Sequence, residues 1–226
     1  MNASTLPDVE KARFNMVEQQ IRTWEVLDEK VLAALFQVRR ELFVPPALRA
    51  LAFSDVELPL EINSVDTHQV MLAPKIEARL AQELQLTATD CVLEIGTGSG
   101  YQAALLSKLA QQVTSVEIDS RLSSFAQANL QANHIANVKV ETGDGGNGWG
   151  STEYDAILLT GSVPAVPDAL KYQLRVGGRM VVAVGQAPIM TVCRITRTTA
   201  ATFDTVNLFE TVIKPLRGAT ASKFKF

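Results

Sequence analysis

The chain predicts an α/β fold built on a doubly wound, mainly parallel sheet of seven strands. Three observations predict it. Apolar runs alternate with helix-period segments through the middle of the chain, three alternate glycines close the first of those runs, and the tail is β-rich without helix. Cys91–Ile95 leads into a helix at 99–110, Val113–Ile118 into a helix at about 120–132, and Val138–Thr142 into a glycine-rich turn. Ala156–Leu159 is followed by Pro167 and a short helix carrying Leu170 and Leu174, after which Gly177-Gly178 turns the chain into Met180–Val184. Met190–Ile195 and Phe203–Ile213 read as an antiparallel pair at the sheet edge.

The N-terminal segment reads differently. A helix is expected over about 8–26, and Asp28 is a candidate N-cap for a second one bearing Val31, Leu32, Leu35 and Phe36. Pro45-Pro46 stops that pattern, and a short helix through Leu48 and Leu51 follows. Residues 54–72 carry no sustained period, and Pro74 suits the first turn of a helix with Ile76, Leu80 and Leu84. This reading places a helical cap over the C-terminal ends of the strands, where open α/β sheets bind ligands. It divides the chain at 73/74, within one compact unit.

Composition narrows the class. With 226 residues, 47% hydrophobic and 20% charged, the chain has an ordinary globular make-up. Its net charge of −3 supplies no attraction to nucleic acid. No apolar run approaches the roughly 20 residues that span a bilayer, and residues 1–10 lack the basic-then-apolar layout of a signal peptide. Cys91 and Cys193 both fall in strand-like runs and read as free thiols, so a cytoplasmic location is expected. Two cysteines and two histidines, far apart, make no metal site.

Chemistry concentrates at Gly96-Thr97-Gly98-Ser99-Gly100. The spacing is G-x-G-x-G, neither the G-x-G-x-x-G of dinucleotide enzymes nor a phosphate-cradling loop with Lys-Ser/Thr. Glu117 ends the next strand, where an acid takes ribose hydroxyls, and Asp144 follows the third strand in Gly143-Asp144-Gly145-Gly146. Taken singly, each is also what a turn or a solvated strand end looks like. Together they suit an adenosine with free hydroxyls and an exocyclic amine but no pyrophosphate. That ligand is S-adenosylmethionine.

From about Met16 to Leu216 the chain resembles the protein-L-isoaspartate (D-aspartate) O-methyltransferase family. Val38-Arg39-Arg40-Glu41-Leu42-Phe43-Val44 is similar to the family's V-P-R-E-x-F-V, and Leu93–Gln102 to its L-E-I-G-T-G-S-G-Y-Q. Ser115-Val116-Glu117, Gly143-Asp144-Gly145 and the run Pro167, Leu170, Gln173-Leu174, Gly177-Gly178, Val181, Val184-Gly185 match further motifs. The resemblance implies a Rossmann-like methyltransferase fold, S-adenosylmethionine as cofactor, and a protein or peptide acceptor; charge and hydropathy predict no nucleic-acid or membrane partner. It implies cofactor contacts for Glu94, Gly96, Thr97, Gly98, Ser99, Gly100, Glu117, Asp144 and Gly145, with Glu117 on the ribose and Asp144 near the adenine amine.

The acceptor segment departs from the pattern. Where the family has G-Q-T-I-S-x-P, this chain has Gln69-Val70-Met71-Leu72-Ala73-Pro74, so the hydroxyls that hold the substrate carboxylate become Val70 and Leu72. Several extra residues around Asn63–His68 precede it, and Lys214 replaces an apolar residue in Ile213-Lys214-Pro215-Leu216. Three readings stand at this point. Thr67, His68 or another loop group replaces the lost hydroxyls in an isoaspartyl methyltransferase. The same fold serves a different, less polar acceptor. Or the chain binds cofactor without turnover. Trp149 reads as packing.

Overall fold

In the computed structural model, residues 6–218 are described; residues 1–5 of the stretch read for a leader, and residues 219–226, lie outside them. The chain enters through α1 (Leu6–Asn15), which rewinds into a π turn at Met16–Ile21 and a 3-10 turn at Arg22–Trp24. Glu25, at φ 59°, ends the rod. The expected first helix is therefore present, tightened near its end. α2 (Glu29–Gln37) starts at the expected cap: Asp28 is extended, and its carboxylate accepts the Lys30 N–H at 2.8 Å.

Residues 54–72, read as aperiodic, contain a hairpin. β1 (Leu58–Ile62) pairs antiparallel with β2 (Val65–Met71) around Asn63-Ser64, both at positive φ (51° and 62°). A two-residue hairpin turn requires that geometry. Asn-Ser is a weaker signal than Asn-Gly, and Pro59 inside the first strand speaks for an edge position, so local chemistry concealed the element. The extra residues around Asn63–His68 are its turn and the start of its second strand. α3 (Pro74–Glu83) then begins at Pro74 as expected.

The alternating part follows: β3 (Cys91–Ile95), α4 (Tyr101–Ser107), β4 (Gln112–Glu117), α5 (Ser120–Ala132), β5 (Val138–Thr142), β6 (Tyr154–Leu159), α6 (Asp168–Tyr172), β7 (Leu174–Gln186), β8 (Ile189–Arg197) and β9 (Phe203–Glu210). The strands form one sheet in the order β5-β4-β3-β6-β7-β8-β9, parallel through β7 and antiparallel at β8 and β9. Gly177-Gly178 lies within β7 rather than before it. Leu174 already pairs with Tyr154, so the short helix ends sooner than expected.

Side chains alternate between the two faces of the sheet. Val92, Leu158 and Val181 join a core with α2, α3, α4 and α5, whereas Leu93, Ile157, Leu159 and Val182 join a second core with Leu170. The larger core contains residues from both sides of position 73. α2 and the π turn pack on α3, and α2 also reaches α4; the part of the N-terminal region that lies over the strand ends is the hairpin, whose β1 leans on α5.

Candidate active site

β3 lies between β4 and β6, so the chain leaves it outward in one direction and later returns on the other side. Open sheets bind ligands at such a switch point, outside the carboxyl ends of the strands. The glycine turn sits there. Gly96 donates to the Val116 carbonyl at 2.8 Å, and Thr160, just past β6, donates its N–H to Ile95 at 3.1 Å. Gly96 has φ 98°, and a Cβ on it would fall 2.3 Å from the Thr160 hydroxyl. Only glycine fits.

Two carboxyl groups organise this turn from opposite sides. Glu117 is buried; one oxygen accepts the Gly98 N–H at 2.9 Å and the other the Asp119 N–H at 3.0 Å. A carboxylate has about four acceptor positions, so Glu117 keeps capacity towards the cleft it lines. Glu94 lies beneath the turn, fully buried, accepting from the Ser115 hydroxyl, which also meets Thr97 Oγ1 at 2.6 Å. Burial pushes the Glu94 carboxyl up to about 8, and the Glu117 charge adds to the rise, while the Ser115 bond opposes it. Burial thus favours the protonated form of Glu94.

The cleft encloses about 690 Å³ of space that includes open solvent. Its far wall is the Gly143–Gly146 turn, where exposed Asp144 accepts the Gly146 N–H at 2.9 Å. Trp149 packs behind this turn, 2.5 Å from where a Cβ on Gly143 would stand. Gln173 fixes Trp149 by accepting its N–H and donating to its carbonyl, both at 2.9 Å. A smaller cleft of about 320 Å³ adjoins the first across Gly96, Gly98 and Thr160. Into it faces Gln102, buried, with neither amide atom partnered among the described residues. Glu77 lines it too, ion-paired with Arg40; burial pushes this carboxyl up to about 7 against the opposing pull of Arg40.

The remaining wall joins segments far apart in sequence. Val70 and Leu72, from the end of the hairpin, line both clefts. Facing them is the segment Ile213–Arg217, beyond β9. Ser162 holds this segment: its hydroxyl donates to the Ile213 carbonyl at 2.9 Å, its N–H to Lys214 at 2.9 Å, and its carbonyl accepts from Leu216 at 3.0 Å. Lys214 Nζ donates to the His68 carbonyl at 3.1 Å, and Arg217 donates to the Thr67 carbonyl and to Asp119. Arg40 anchors the hairpin from behind, donating to Leu72 O at 2.8 Å and Ala52 O at 2.9 Å and lying 4.9 Å over the Tyr101 ring.

A family model described as protein-L-isoaspartate(D-aspartate) O-methyltransferase matches residues 11–219. A protein-L-isoaspartate O-methyltransferase of Rhodopseudomonas palustris is 40% identical over 206 residues, covering 90% of this chain and 92% of the relative. Another, from Anaeromyxobacter sp., is 44% identical over 171 residues, covering 75% and 78%. The chain belongs to this family. A solved protein-L-isoaspartate O-methyltransferase superposes with a TM-score of 0.78 at 24% identity, over 93% of this chain and 66% of that one, which establishes the fold. Family and fold together make the chain an S-adenosylmethionine-dependent methyltransferase.

Within that family framework, the expected residues separate into those gathered at the clefts and those held elsewhere. Gly96, Gly98, Glu117, Asp144 and Gly145 line the main cleft; Thr97 and Ser99 line the smaller one. Glu94 and Gly100 line neither. Glu94 supports the turn from below, and Gly100, at φ 84°, packs on Ala126. The two candidate replacements for the lost hydroxyls lie outside the clefts. Thr67 is fully buried, its hydroxyl donating to Leu60 O at 2.6 Å and accepting from Gln69 N–H at 3.2 Å. His68 is 81% exposed and pairs with Asp66 at 2.8 Å. Neither lines a cleft. Thr160, Gly161 and Leu216 do and were missed; the first two directly follow a parallel strand, which the switch-point rule alone flags.

No helix among the described residues is long and apolar enough to cross a membrane, and no cluster of metal-ligating side chains occurs among them.

Proposed function

We propose that this chain methylates the free carboxylate of isoaspartyl residues in damaged proteins, using S-adenosylmethionine, in the cytoplasm. One observation carries the reading: a single cleft at the switch point joins the glycine turn, Glu117 and Asp144 to an open wall at Val70, Leu72 and Lys214. Glu117 would take the ribose hydroxyls and Asp144 the adenine amine. Gly96 and Gly98, with Thr97 and Ser99, would receive the methionine part. The unpartnered Gln102 amide supports the fit, because an amino-acid terminus needs both a donor and an acceptor there. Gly100 and Gly145 would shape the turns, and Glu94 would act through Ser115 and Thr97.

When bound, the cofactor supplies an electrophilic methyl group: a carboxylate oxygen forms the new O–CH3 bond, and the electron pair of the broken bond stays on sulfur. The acceptor is already ionised, so no side chain need remove a proton. The chain's contribution is position and exclusion of water. Val70, Leu72 and Leu216 provide the apolar walls for that. Those walls also favour a second reading, a less polar acceptor, because an unpaired charge against them is costly.

The decisive experiment offers an isoaspartyl peptide and its normal aspartyl twin to the protein with labelled cofactor. Methyl ester is expected on the isoaspartyl form alone. Restoring hydroxyls with Val70→Thr and Leu72→Ser is expected to raise that rate about tenfold, the worth of one hydrogen bond to a charged group. Inactivity of both peptides with wild type and with the double variant overturns the isoaspartyl reading.

A further inference from the structure

We infer that Lys214 is the carboxylate anchor of the acceptor site, holding the anion before transfer and losing its hold once the ester has formed. The inference rests on the isoaspartyl reading and specifies how that site recognises its substrate.

Two cations line the main cleft, Lys214 and Arg217. They are not equivalent. Arg217 is committed: one nitrogen lies 3.1 Å from Asp119 and the other donates to the Thr67 carbonyl. Asp119 is drawn far below the ordinary carboxylate range by Arg121 and then by Arg217, the mark of a settled charge cluster. Lys214 makes one hydrogen bond among the described residues, to the neutral His68 carbonyl. An ammonium has three N–H donors, so two remain.

No carboxylate among the described residues lies in ion-pair contact with Lys214, although Glu57 and Asp66 both feel its charge. Asp66 is occupied by His68. The cleft lining thus includes one cation without a carboxylate partner among the described residues, Lys214, together with two apolar side chains, Val70 and Leu72. That combination suits a monoanion whose other faces are apolar. It replaces two hydroxyl donors by one charge, which requires less exact geometry.

The sign of the effect on catalysis follows from charge. Anionic carboxylate and cationic sulfonium become neutral ester and neutral thioether, so the acceptor's charge is partly gone in the transition state. A lysine that binds this charge stabilises bound substrate at least as much as the transition state, and such binding lowers KM without raising kcat. It also discriminates against the product, which has no charge to hold.

The test compares wild type with Lys214→Met, which keeps length without charge, and Lys214→Arg. For the isoaspartyl peptide, Lys214→Met is expected to raise KM about tenfold with kcat unchanged or higher, while cofactor affinity stays constant. Calorimetry on the complex with S-adenosylhomocysteine supplies a second readout: peptide affinity falls about tenfold in Lys214→Met, affinity for the methyl-ester peptide does not change, and Lys214→Arg restores most of the loss. A fall in kcat at constant KM, or equal loss for acid and ester peptides, overturns the inference. If wild type makes no ester, the isoaspartyl reading fails by that result, and calorimetry with the two peptides still decides whether Lys214 binds a carboxylate.

Discussion

The two walls of the cleft are built on opposite plans. The cofactor wall consists of short contiguous motifs at successive strand ends, Gly96–Gly100, Glu117 and Gly143–Gly146, which parallel pairing places side by side. The acceptor wall joins Gln69–Leu72 to Ile213–Arg217 across more than 140 positions, through hydrogen bonds such as that of Lys214 to the His68 carbonyl. The first plan fixes geometry through the sheet and tolerates little change. The second lets side chains be exchanged without disturbing the sheet, and it is there that Val70, Leu72 and Lys214 stand in place of the family's pattern.

The largest effect is expected where the two walls share a support. Arg40 is buried, pairs with Glu77 and holds the Leu72 carbonyl. Arg40→Met leaves the buried Glu77 without its partner, and about 3–5 kcal/mol of stability should be lost in urea unfolding. Next, the comparison predicts that damage to the cofactor wall is selective. Gly96→Val should reduce cofactor affinity at least about a hundredfold by calorimetry, because a Cβ there meets Thr160 and φ 98° is strained for it. Asp144→Ala, at the exposed far wall, should cost about tenfold, the value of one charged hydrogen bond. Comparable losses from changes at Val70 or Leu72 would erase the distinction between the walls.

The smallest effect concerns pH. Glu94, raised to about 8, and Glu77, raised to about 7, both bind protons more tightly folded than unfolded. Their contribution to stability is full below about pH 4.5 and is lost as pH rises towards 7–8. Glu94→Gln should remove part of that slope, read as a flatter dependence of unfolding free energy between about pH 5 and 8. An unchanged slope would mean that Glu94 ionises inside the fold without cost.

Legibility in the sequence divides along the same line. Strand–glycine–helix grammar is local, so the sheet, the helix starts at Asp28 and Pro74, and the placing of Gly96, Glu117 and Asp144 at strand ends could be read from neighbouring residues. The β1–β2 hairpin was not, because Asn63-Ser64 and Pro59 disguise it, and its positive-φ turn is stabilised by burial of Leu58, Leu60 and Thr67 rather than by turn chemistry. Thr67 and His68 were candidates from residue type and place in the extra loop, where a lone histidine is more often solvent-exposed than catalytic. Backbone direction puts one inside the hairpin and the other in solvent. The role of Ile213–Arg217 depends on a bridge to Ser162, which no local pattern encodes.

That bridge also makes the acceptor wall depend on parts of the chain far from its hairpin. Every motif of the cofactor wall precedes residue 147, whereas the acceptor wall is incomplete without Lys214 and Arg217, docked on Ser162 and the hairpin. The nucleoside side of the cleft needs only Thr160 and Gly161 from beyond those motifs. The wall that meets the acceptor is thus the one that draws on the most widely separated segments.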